Sequence, residues 1–259
     1  MPDRIRLDGK VAVVTGAAGV IGTATIQLLA ARGSRIVAVD RREQDLKTAI
    51  KDLPGSAQAL AITADVTRED EVAEYMRAAV DKFGTIDIFY NNAGIEGEIV
   101  SITKYPLETF RKVIEVNVVG VFLGLKHVLP VMLKQNSGSI INTASIAGLI
   151  GSPDVAVYSA SKHAVIGLTK SAALECAGTG VRVNCVCPGR IDSRMLSAII
   201  EGRNPGNAPV PNEKIVERIP ARRLGQASEV ASIVAFLASD DASYVSGSAY
   251  TVDGGRVAS

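Results

Sequence analysis

The segment from residue 10 to residue 40 constrains the fold more than any other part of the chain. Residues 10–15 form a short β-branched run with no polar residue between its ends, which is typical of a strand covered on both faces of a parallel sheet. A helical stretch and a second apolar strand follow, and that strand ends at Asp40. The first strand and the helix are joined by a turn with three glycines, Gly16, Gly19 and Gly22. The pattern predicts a βαβ unit.

The glycine turn at the start of this helix predicts a dinucleotide-binding site. Glycine permits a tight turn and a close approach of the backbone to a diphosphate, and the helix N-terminus offers unpaired N–H groups and a positive dipole end. Asp40, eighteen residues after Gly22, can accept hydrogen bonds from the ribose hydroxyls of an adenosine. Three glycines could instead form only a turn, but the βαβ context favours the dinucleotide.

Strands and helices continue to alternate, which predicts an α/β fold with a doubly wound parallel sheet and helices on both faces. We expect one dinucleotide-binding and catalytic domain over residues 1–259. Ligands of such sheets bind at the carboxyl ends of the strands. Two predicted strands are followed there by candidate cofactor contacts: Asp65, Val66, Asn92, Ala93 and Gly94. The asparagines and the glycine could also form only a turn, since both residue types tolerate unusual backbone angles.

Residues 145–162 predict a proton-transfer site. Tyr158 and Lys162 are four residues apart on a predicted helix and therefore share a face. A nearby ammonium favours the phenolate and lowers the tyrosine pKa from about 10, so the pair is suited to general acid/base catalysis. Ser145 follows a predicted strand over residues 139–143, from which its hydroxyl could meet the tyrosine across a cleft. The alternative is a solvated helix face.

Two further segments carry candidate functional residues. A long helix is predicted over residues 107–135, with a bend at Pro130. Asn117 is in its middle, where asparagine is a poor helix former and costly to bury unpaired, so it is either a packed polar group or a functional one. Residues 190–220 interrupt the alternation after a strand and are rich in helix breakers, so we interpret them as a lid over the site rather than a loose surface excursion. A last helix is predicted to follow, with Ser228 as its N-cap.

Composition limits the partners. The chain has 28 Lys and Arg against 27 Asp and Glu, a net charge of +1, which gives no electrostatic footprint for nucleic acid or an anionic membrane. The apolar run over residues 118–125 is too short to span a bilayer, and the N-terminal residues are charged, so we expect a cytoplasmic protein. The three cysteines have no metal-ligand spacing, and we predict no metal site.

Taken together, the motifs resemble those of the short-chain dehydrogenase/reductase family, in the subgroup with chains of this length. The resemblance covers nearly the whole chain, from Leu7 to Gly255. It rests on Thr15, Gly16, Gly22, Asp65, Val66, residues 91–94, Asn117, Ser145, Tyr158, Lys162, Pro188 and Gly189. Two positions depart from the usual pattern. The middle glycine is Gly19 rather than residue 20, which is Val20, and Ser193 replaces the usual threonine.

The resemblance implies a role for each catalytic residue. Tyr158 would be the general acid/base, and Ser145 would hold the substrate oxygen. Lys162 would bind the nicotinamide ribose and lower the tyrosine pKa, and Asn117 would order a water in the proton relay. The motifs and the resemblance together predict these cofactor contacts: Gly16, Gly19, Val20, Ile21, Gly22, Asp40, Arg41, Asp65, Val66, Asn92, Ala93, Gly94, Tyr158, Lys162, Pro188, Gly189, Ile191 and Ser193.

The function expected on this basis is hydride transfer between NAD(H) and a secondary alcohol or ketone. Apolar residues flanking the site favour a neutral, cyclic or bulky substrate, as in the cyclic-ketone and secondary-alcohol reductases that the chain resembles. Asp40 favours NAD, whereas Arg41 could instead hold the 2′-phosphate of NADP. The resemblance also implies a homotetramer. Two alternatives are an epimerase or dehydratase that retains its NAD, and an NAD-binding regulatory protein without chemistry.

Overall fold

The structure, a computed structural model, describes residues 5–54, 57–206 and 210–258, except for the side chain of Asn212. Within these residues, seven strands form one parallel sheet in the order β3-β2-β1-β4-β5-β6-β7. The strands are β1 Val11–Thr15, β2 Arg35–Asp40, β3 Ala59–Thr63, β4 Ile88–Asn91, β5 Gly138–Thr143, β6 Val181–Pro188 and β7 Ala249–Val252. The order runs outward from β1 in both directions, which confirms the predicted doubly wound sheet.

Helices cover both faces of the sheet. Their bounds are α1 Val20–Ala31, α2 Glu43–Lys51, α3 Glu69–Phe83, α4 Leu107–Ile114, α5 Gly120–Gln135, α6 Ala156–Glu175, α7 Arg194–Arg203, α8 Asn212–Val216 and α9 Ala227–Ala238. One apolar core layer includes side chains of α3, α5 and α6, and the other includes side chains of α1, α2 and α9. The central strands are buried on both faces, which is why β1 is apolar throughout.

The predicted long helix is not uniform. A π-helical turn, Glu115–Val119, separates α4 from α5 and contains the buried Asn117. Such turns carry i→i+5 hydrogen bonds and often occur at functional sites. By length and composition alone, Leu107–Gln135 is the one candidate membrane span among the described residues. A core helix passes the same test, and 44% of the most apolar window is buried.

The C-terminal part contains two differences from expectation. Helix α9 is capped by Gln226, whose side chain and that of Glu229 form a reciprocal capping box, so the predicted cap at Ser228 is wrong. Glu229 can reach back to the Gln226 N–H at 2.8 Å, which sets the start of the helix earlier. The predicted lid contains helices α7 and α8, and its residues 207–209 lie outside the described residues.

Candidate active site

One cavity of about 1230 Å³ opens at the carboxyl edge of the sheet. This exceeds the roughly 300–1,000 Å³ usual for small-ligand sites, so it has room for a dinucleotide and a second small molecule. Every predicted site residue except Asn117 lines it: Gly16, Gly19, Val20, Ile21, Gly22, Asp40, Arg41, Asp65, Val66, Asn92, Ala93, Gly94, Ser145, Tyr158, Lys162, Pro188, Gly189, Ile191 and Ser193.

The glycine turn leaves a cradle that side chains would fill. Gly16 has a φ of 62°, and a Cβ atom there would lie 2.9 Å from the Ala93 Cα. A Cβ at Gly22 would lie 2.1 Å from the Gly16 carbonyl oxygen. Gly19 is less constrained, since its φ is −78° and it serves as the N-cap of α1. The first-turn N–H groups of α1, which lack intrahelical acceptors, therefore meet the cavity with no side chain in front of the turn, as a diphosphate requires.

Asp40 is buried at the end of β2 and is held by two backbone groups. Its Oδ2 accepts from the Ala18 N–H at 3.0 Å, and its Oδ1 accepts from the Arg42 N–H at 3.0 Å. The Arg42 Nε lies 3.5 Å from the same Oδ1. The cation beside Asp40 is thus Arg42, which the motifs did not identify, whereas the predicted Arg41 is an exposed residue at the cavity edge.

The predicted residues after β3 and β4 have structural partners. Asp65 accepts at Oδ1 from both the N–H and the hydroxyl of Thr67, at 2.9 and 2.8 Å, and thereby forms the turn after β3. The Asn92 Nδ2 donates to the carbonyls of Thr15 and Gly16, at 3.1 and 3.2 Å. Its Oδ1 accepts from the Thr143 hydroxyl at 3.2 Å. Asn92 therefore joins the carboxyl ends of β1, β4 and β5.

Ser145, Tyr158 and Lys162 meet in the cavity, as their spacing predicts. Ser145 follows β5, and its Oγ accepts from the Ala147 N–H at 3.1 Å. Tyr158 and Lys162 are in the first half of α6, and all three residues are buried. The Lys162 Nζ donates to the Thr143 carbonyl oxygen at 2.7 Å and lies 5.6 Å from the centroid of the Tyr158 ring. A phenol, an amine and a hydroxyl thus share one buried pocket.

The electrostatics differ from the expectation for the tyrosine. Burial raises the pKa of Tyr158 to about 12, although the Ser145 hydroxyl acts in the opposite direction. Burial also lowers the pKa of Lys162 to about 8. In the protein alone the pKa of Tyr158 is therefore raised and not lowered as expected, because both groups are removed from water and burial outweighs the effect of the neighbouring lysine.

Asn117 does not reach the cavity with its side chain. Its Oδ1 accepts from the Ile95 N–H at 2.8 Å, and its Nδ2 donates to the Ile95 carbonyl at 2.9 Å and to the Ser161 Oγ at 3.0 Å. Ser161 in turn donates to the Tyr158 carbonyl at 2.7 Å. The asparagine is thus a packed polar group that connects the segment after β4 to the helix that carries Tyr158.

The residues after β6 shape the third wall. The Gly189 N–H donates to the Val252 carbonyl at 3.0 Å, and Ile191 forms an isolated parallel bridge with Gly225. Ser193 caps α7, since its Oγ accepts from the Leu196 N–H at 3.3 Å. The next residue, Arg194, makes a two-bonded ion pair with Glu96 at 2.8 and 3.2 Å. This pair links the predicted lid to the segment after β4.

Three supporting interactions had no signal in the sequence. The Thr143 carbonyl is a backbone group, Arg42 differs from Arg41 only by its place in the chain, and the Glu96–Arg194 pair joins residues 98 positions apart. Thr15 was part of a recognised motif, but its hydroxyl receives the N–H groups of Asn92 and Ala93. In the part of the chain that the structure describes, no group of three His, Cys, Asp or Glu residues could hold a metal ion.

Comparisons with known proteins agree with this geometry. Residues 16–256 match the family model described as "Enoyl-(Acyl carrier protein) reductase". The chain is 39% identical over 256 residues to the levodione reductase of Leifsonia aquatica, covering 98% of this chain and 96% of the relative. It is 40% identical over 250 residues to the cyclohexanol dehydrogenase of Acinetobacter sp. (strain SE19), covering 96% and 95%.

Solved structures show the same relationship. The crystal structure of levodione reductase superposes with a TM-score of 0.95 over 98% of this chain and all of that one, at 39% identity. The crystal structure of an NAD+-bound xylitol dehydrogenase gives a TM-score of 0.92 at 37% identity, covering 96% of this chain and 99% of that chain. Sequence, fold and site therefore agree, and the chain belongs to the short-chain dehydrogenase/reductase family of oxidoreductases.

Proposed function

We propose that this protein transfers a hydride between NAD(H) and the carbon of a secondary alcohol or ketone. The observation that carries the proposal is the meeting of Ser145, Tyr158 and Lys162 in the same cavity as the glycine turn and Asp40. NAD supplies the hydride acceptor when bound, and NADH the donor. The relatives named above include enzymes of cyclic alcohols and ketones, and an NAD+-bound neighbour.

In this proposal the protein moves the hydroxyl proton. Tyr158 accepts that proton during oxidation and returns it during reduction, while the Ser145 hydroxyl holds the substrate oxygen. The Lys162 ammonium binds a ribose hydroxyl and favours the phenolate. Asn117, which the family resemblance places in the relay, supports it here by holding the helix of Tyr158 through Ser161 rather than by a side-chain contact in the cavity. The hydrogen bond from Lys162 to the Thr143 carbonyl supports the role of the lysine, because it aims the ammonium toward the cavity that the phenol also lines.

The residues of the glycine turn fit NAD. The cradle at Gly16 and Gly22 suits a diphosphate, and Asp40 has lone pairs left for ribose hydroxyls after its two backbone contacts. A 2′-phosphate would meet the Asp40 carboxylate as a like charge. Arg42 already contacts that carboxylate and is committed to it, so we propose that NAD is preferred to NADP.

The reacting part of the substrate is proposed to be uncharged and cyclic or bulky. This is supported by apolar side chains that line the cavity from both sides of the site, Ile95, Ile150, Met195, Leu196, Ile199 and Ile200. We propose that residues 190–220 act as a lid within one domain of residues 1–259. The lid residues 195–200 come from α7, which is tied to the opposite wall by the Glu96–Arg194 pair.

We further propose a cytoplasmic homotetramer without a nucleic-acid or membrane partner. The nearly equal numbers of acidic and basic residues argue against binding to nucleic acid or to an anionic membrane. Phe122 on α5 is 48% exposed and Leu174 on α6 is 77% exposed, which suits an interface between copies of the chain. Sedimentation at micromolar concentration tests this, and a monomer would contradict it.

Activity over a panel of secondary alcohols tests the function. Purified protein with NAD or NADP is followed by the absorbance of the reduced cofactor, with cyclohexanol as the first substrate and primary alcohols of equal size as controls. Turnover with NAD supports the proposal. Cofactor that copurifies without net reduction of added NAD would favour an epimerase or dehydratase. Cofactor binding without turnover of any substrate would favour a regulatory protein.

A further inference from the structure

The cavity contains a second set of charged side chains, on the side of β6 and the lid rather than on the side of Asp40. Six cationic residues from the C-terminal third of the chain line it there. One of them, Arg194, is paired with Glu96, and the other five are Arg190, Arg203, Lys214, Arg218 and Arg256. We call these five residues the basic cluster. The catalytic residues line the same cavity, so a molecule that touches Tyr158 could also reach the cluster.

The members of the basic cluster are close enough to repel one another. The pKa of Arg190 is lowered, first by burial and then by the positive charges of Arg203, Arg256 and Arg218. Arg190 is only partly exposed and follows the Gly189 turn directly, so it cannot move far from the site. A concentration of like charge at the wall of a cavity is unfavourable unless an anion enters it.

Among the described residues, no carboxylate forms an ion pair with Arg190, Arg203, Lys214 or Arg218 of the basic cluster. Arg190 donates to the Ile215 carbonyl, and Arg203 donates to the Ser152 hydroxyl and the Pro153 carbonyl at 2.9 and 2.8 Å, all neutral acceptors. Lys214 and Arg218 have no ion-pair partner among those residues, and the only carboxylate lining this side of the cavity is that of Asp154. Other arginines of this part of the chain are paired: Arg194 of the lid with Glu96, and Arg223 after the lid with Glu229.

The cofactor has its own anion site elsewhere. The glycine turn lies at the end of β1, and two strands, β4 and β5, lie between β1 and β6 in the sheet. A diphosphate at the start of α1 therefore leaves the basic cluster unused. The apolar side chains Met195 and Ile199 lie in the lid helix between Ser193 and Arg203.

We propose that the basic cluster binds a carboxylate carried by the substrate, so that the enzyme acts on a hydroxy or keto acid. An apolar ring or chain separates the acid from the reacting carbon, and arginines hold the carboxylate by charge-assisted hydrogen bonds. This inference rests on the proposed function and adds a charged end to a substrate whose reacting part is neutral.

A binding experiment tests the inference without relying on turnover. The probes are cyclohexanecarboxylate and its neutral counterpart cyclohexanecarboxamide, each added to the full-length protein with saturating NADH. We expect the acid to raise Tm more than the amide, because a ligand of the folded state stabilises it, and we expect added salt to weaken the difference. Arg218→Gln and Arg203→Gln should remove the difference. Arg222→Gln, which changes an exposed arginine that follows the lid and lies outside the cavity, should retain it. Equal shifts for acid and amide in the wild type would overturn the proposal.

Kinetics separate this inference from the proposed function. The substrates are 4-hydroxycyclohexanecarboxylate and its carboxamide. In the wild type we expect kcat/KM to be about tenfold or more higher for the acid, because its KM is lower. In Arg218→Gln we expect kcat/KM to fall about tenfold for the acid and to stay unchanged for the amide. Turnover of cyclohexanol and of the amide without preference for the acid would refute the inference and leave the function standing. Equal losses for acid and amide with a raised KM for NAD would assign the arginines to the cofactor. A change in sedimentation of the variants would assign them to an interface, and either result would overturn the proposal.

Discussion

The Lys162 Nζ lies 5.6 Å from the centroid of the Tyr158 ring, inside a pocket where both side chains are buried. Burial penalises a charge on either group, so the pKa of the lysine falls to about 8 while that of the tyrosine rises to about 12. The protein without cofactor thus holds both groups toward their neutral forms. Such a pocket lowers the stability of the folded state. It also suits proton transfer, because small changes in the surroundings alter the protonation of the two groups.

Stability should show the cost of burying Lys162. Below pH 8 the lysine is protonated in both the folded and the unfolded chain, and the folded state bears the full cost of the buried charge. As the pH rises from 8 toward the ordinary lysine pKa of 10.5, the folded state loses its proton first and the cost disappears. We therefore expect Lys162→Met to be more stable than the wild type at pH 7, by up to ~3 kcal/mol, and the advantage to shrink by pH 10.

Urea unfolding of the cofactor-free protein at both pH values measures this. The lost hydrogen bond to the Thr143 carbonyl offsets part of the gain at each pH, so the change between pH 7 and pH 10 is the informative quantity. Lys170→Met, on the exposed side of the same helix, is the control and should show little change with pH. If the free energy of unfolding of Lys162→Met differs from that of the wild type by the same amount at both pH values, the proposed cost of burying the lysine charge is contradicted.

Tyr158→Phe should abolish most turnover and leave cofactor binding nearly intact. The substitution removes one hydroxyl from the proton path and changes the buried volume little. A general acid/base contributes about 10²–10⁴-fold, so kcat for cyclohexanol should fall by that factor while the Kd for NADH stays within about twofold. Tyr105→Phe is a control, because its hydroxyl only accepts from the Glu98 N–H outside the cavity. A Tyr158→Phe enzyme that retained most of the wild-type kcat would remove the tyrosine from the mechanism.

The three glycines of the turn should differ in their tolerance of alanine. In Gly22→Ala the new methyl group would lie 2.1 Å from the Gly16 carbonyl oxygen and 2.9 Å from the Ala17 Cα, which are backbone atoms that cannot move freely. We expect a loss of about 1–3 kcal/mol in stability and weakened NADH binding. Gly19→Ala meets nothing closer than 3.3 Å and should bind NADH nearly as well as the wild type. Thermal unfolding and NADH titration of the pair would measure the difference, and equal effects would show that the clash at Gly22 is relieved.

The fold could be predicted from sequence because the central strands carry an uninterrupted apolar pattern. The strands that contain Val11 and Ile36 are buried on both sheet faces. Burial on both faces requires apolar residues at successive positions, and such a run can be recognised in a single sequence. Helix α3, Glu69–Phe83, has an acidic first turn and ends at Gly84, and both features are visible in the sequence. The coming together of Ser145, Tyr158 and Lys162 follows from the same topology.

The rest depends on contacts that only the tertiary structure creates. The side chain of Asn117 in the π turn accepts from the Ile95 N–H and donates to the Ser161 hydroxyl, and both partners are distant in sequence. The direction of the Tyr158 pKa could not be predicted, because the lysine signal is local while the burial that outweighs it comes from other segments. The choice of Arg42 over Arg41 beside Asp40 is set by the backbone where α2 begins.

We expect Asp40 to set the preference for NAD over NADP, and Arg42 to bind the 2′-phosphate of NADP when Asp40 is removed. In the wild type the carboxylate opposes a 2′-phosphate, and we expect kcat/KM to be higher with NAD. Asp40→Ala removes the like charge. It also leaves the Arg42 guanidinium, now 3.5 Å from the carboxylate and held at the site by Asp45 and the Ala18 carbonyl, as a cation that can meet the phosphate, so the ratio should narrow or reverse. Arg42→Ala should keep the preference for NAD, and the double variant should lose the NADP activity gained by Asp40→Ala. Initial rates with both cofactors across these four proteins form a double-mutant cycle. A wild type that prefers NADP would mean that an arginine, and not Asp40, governs the cofactor site.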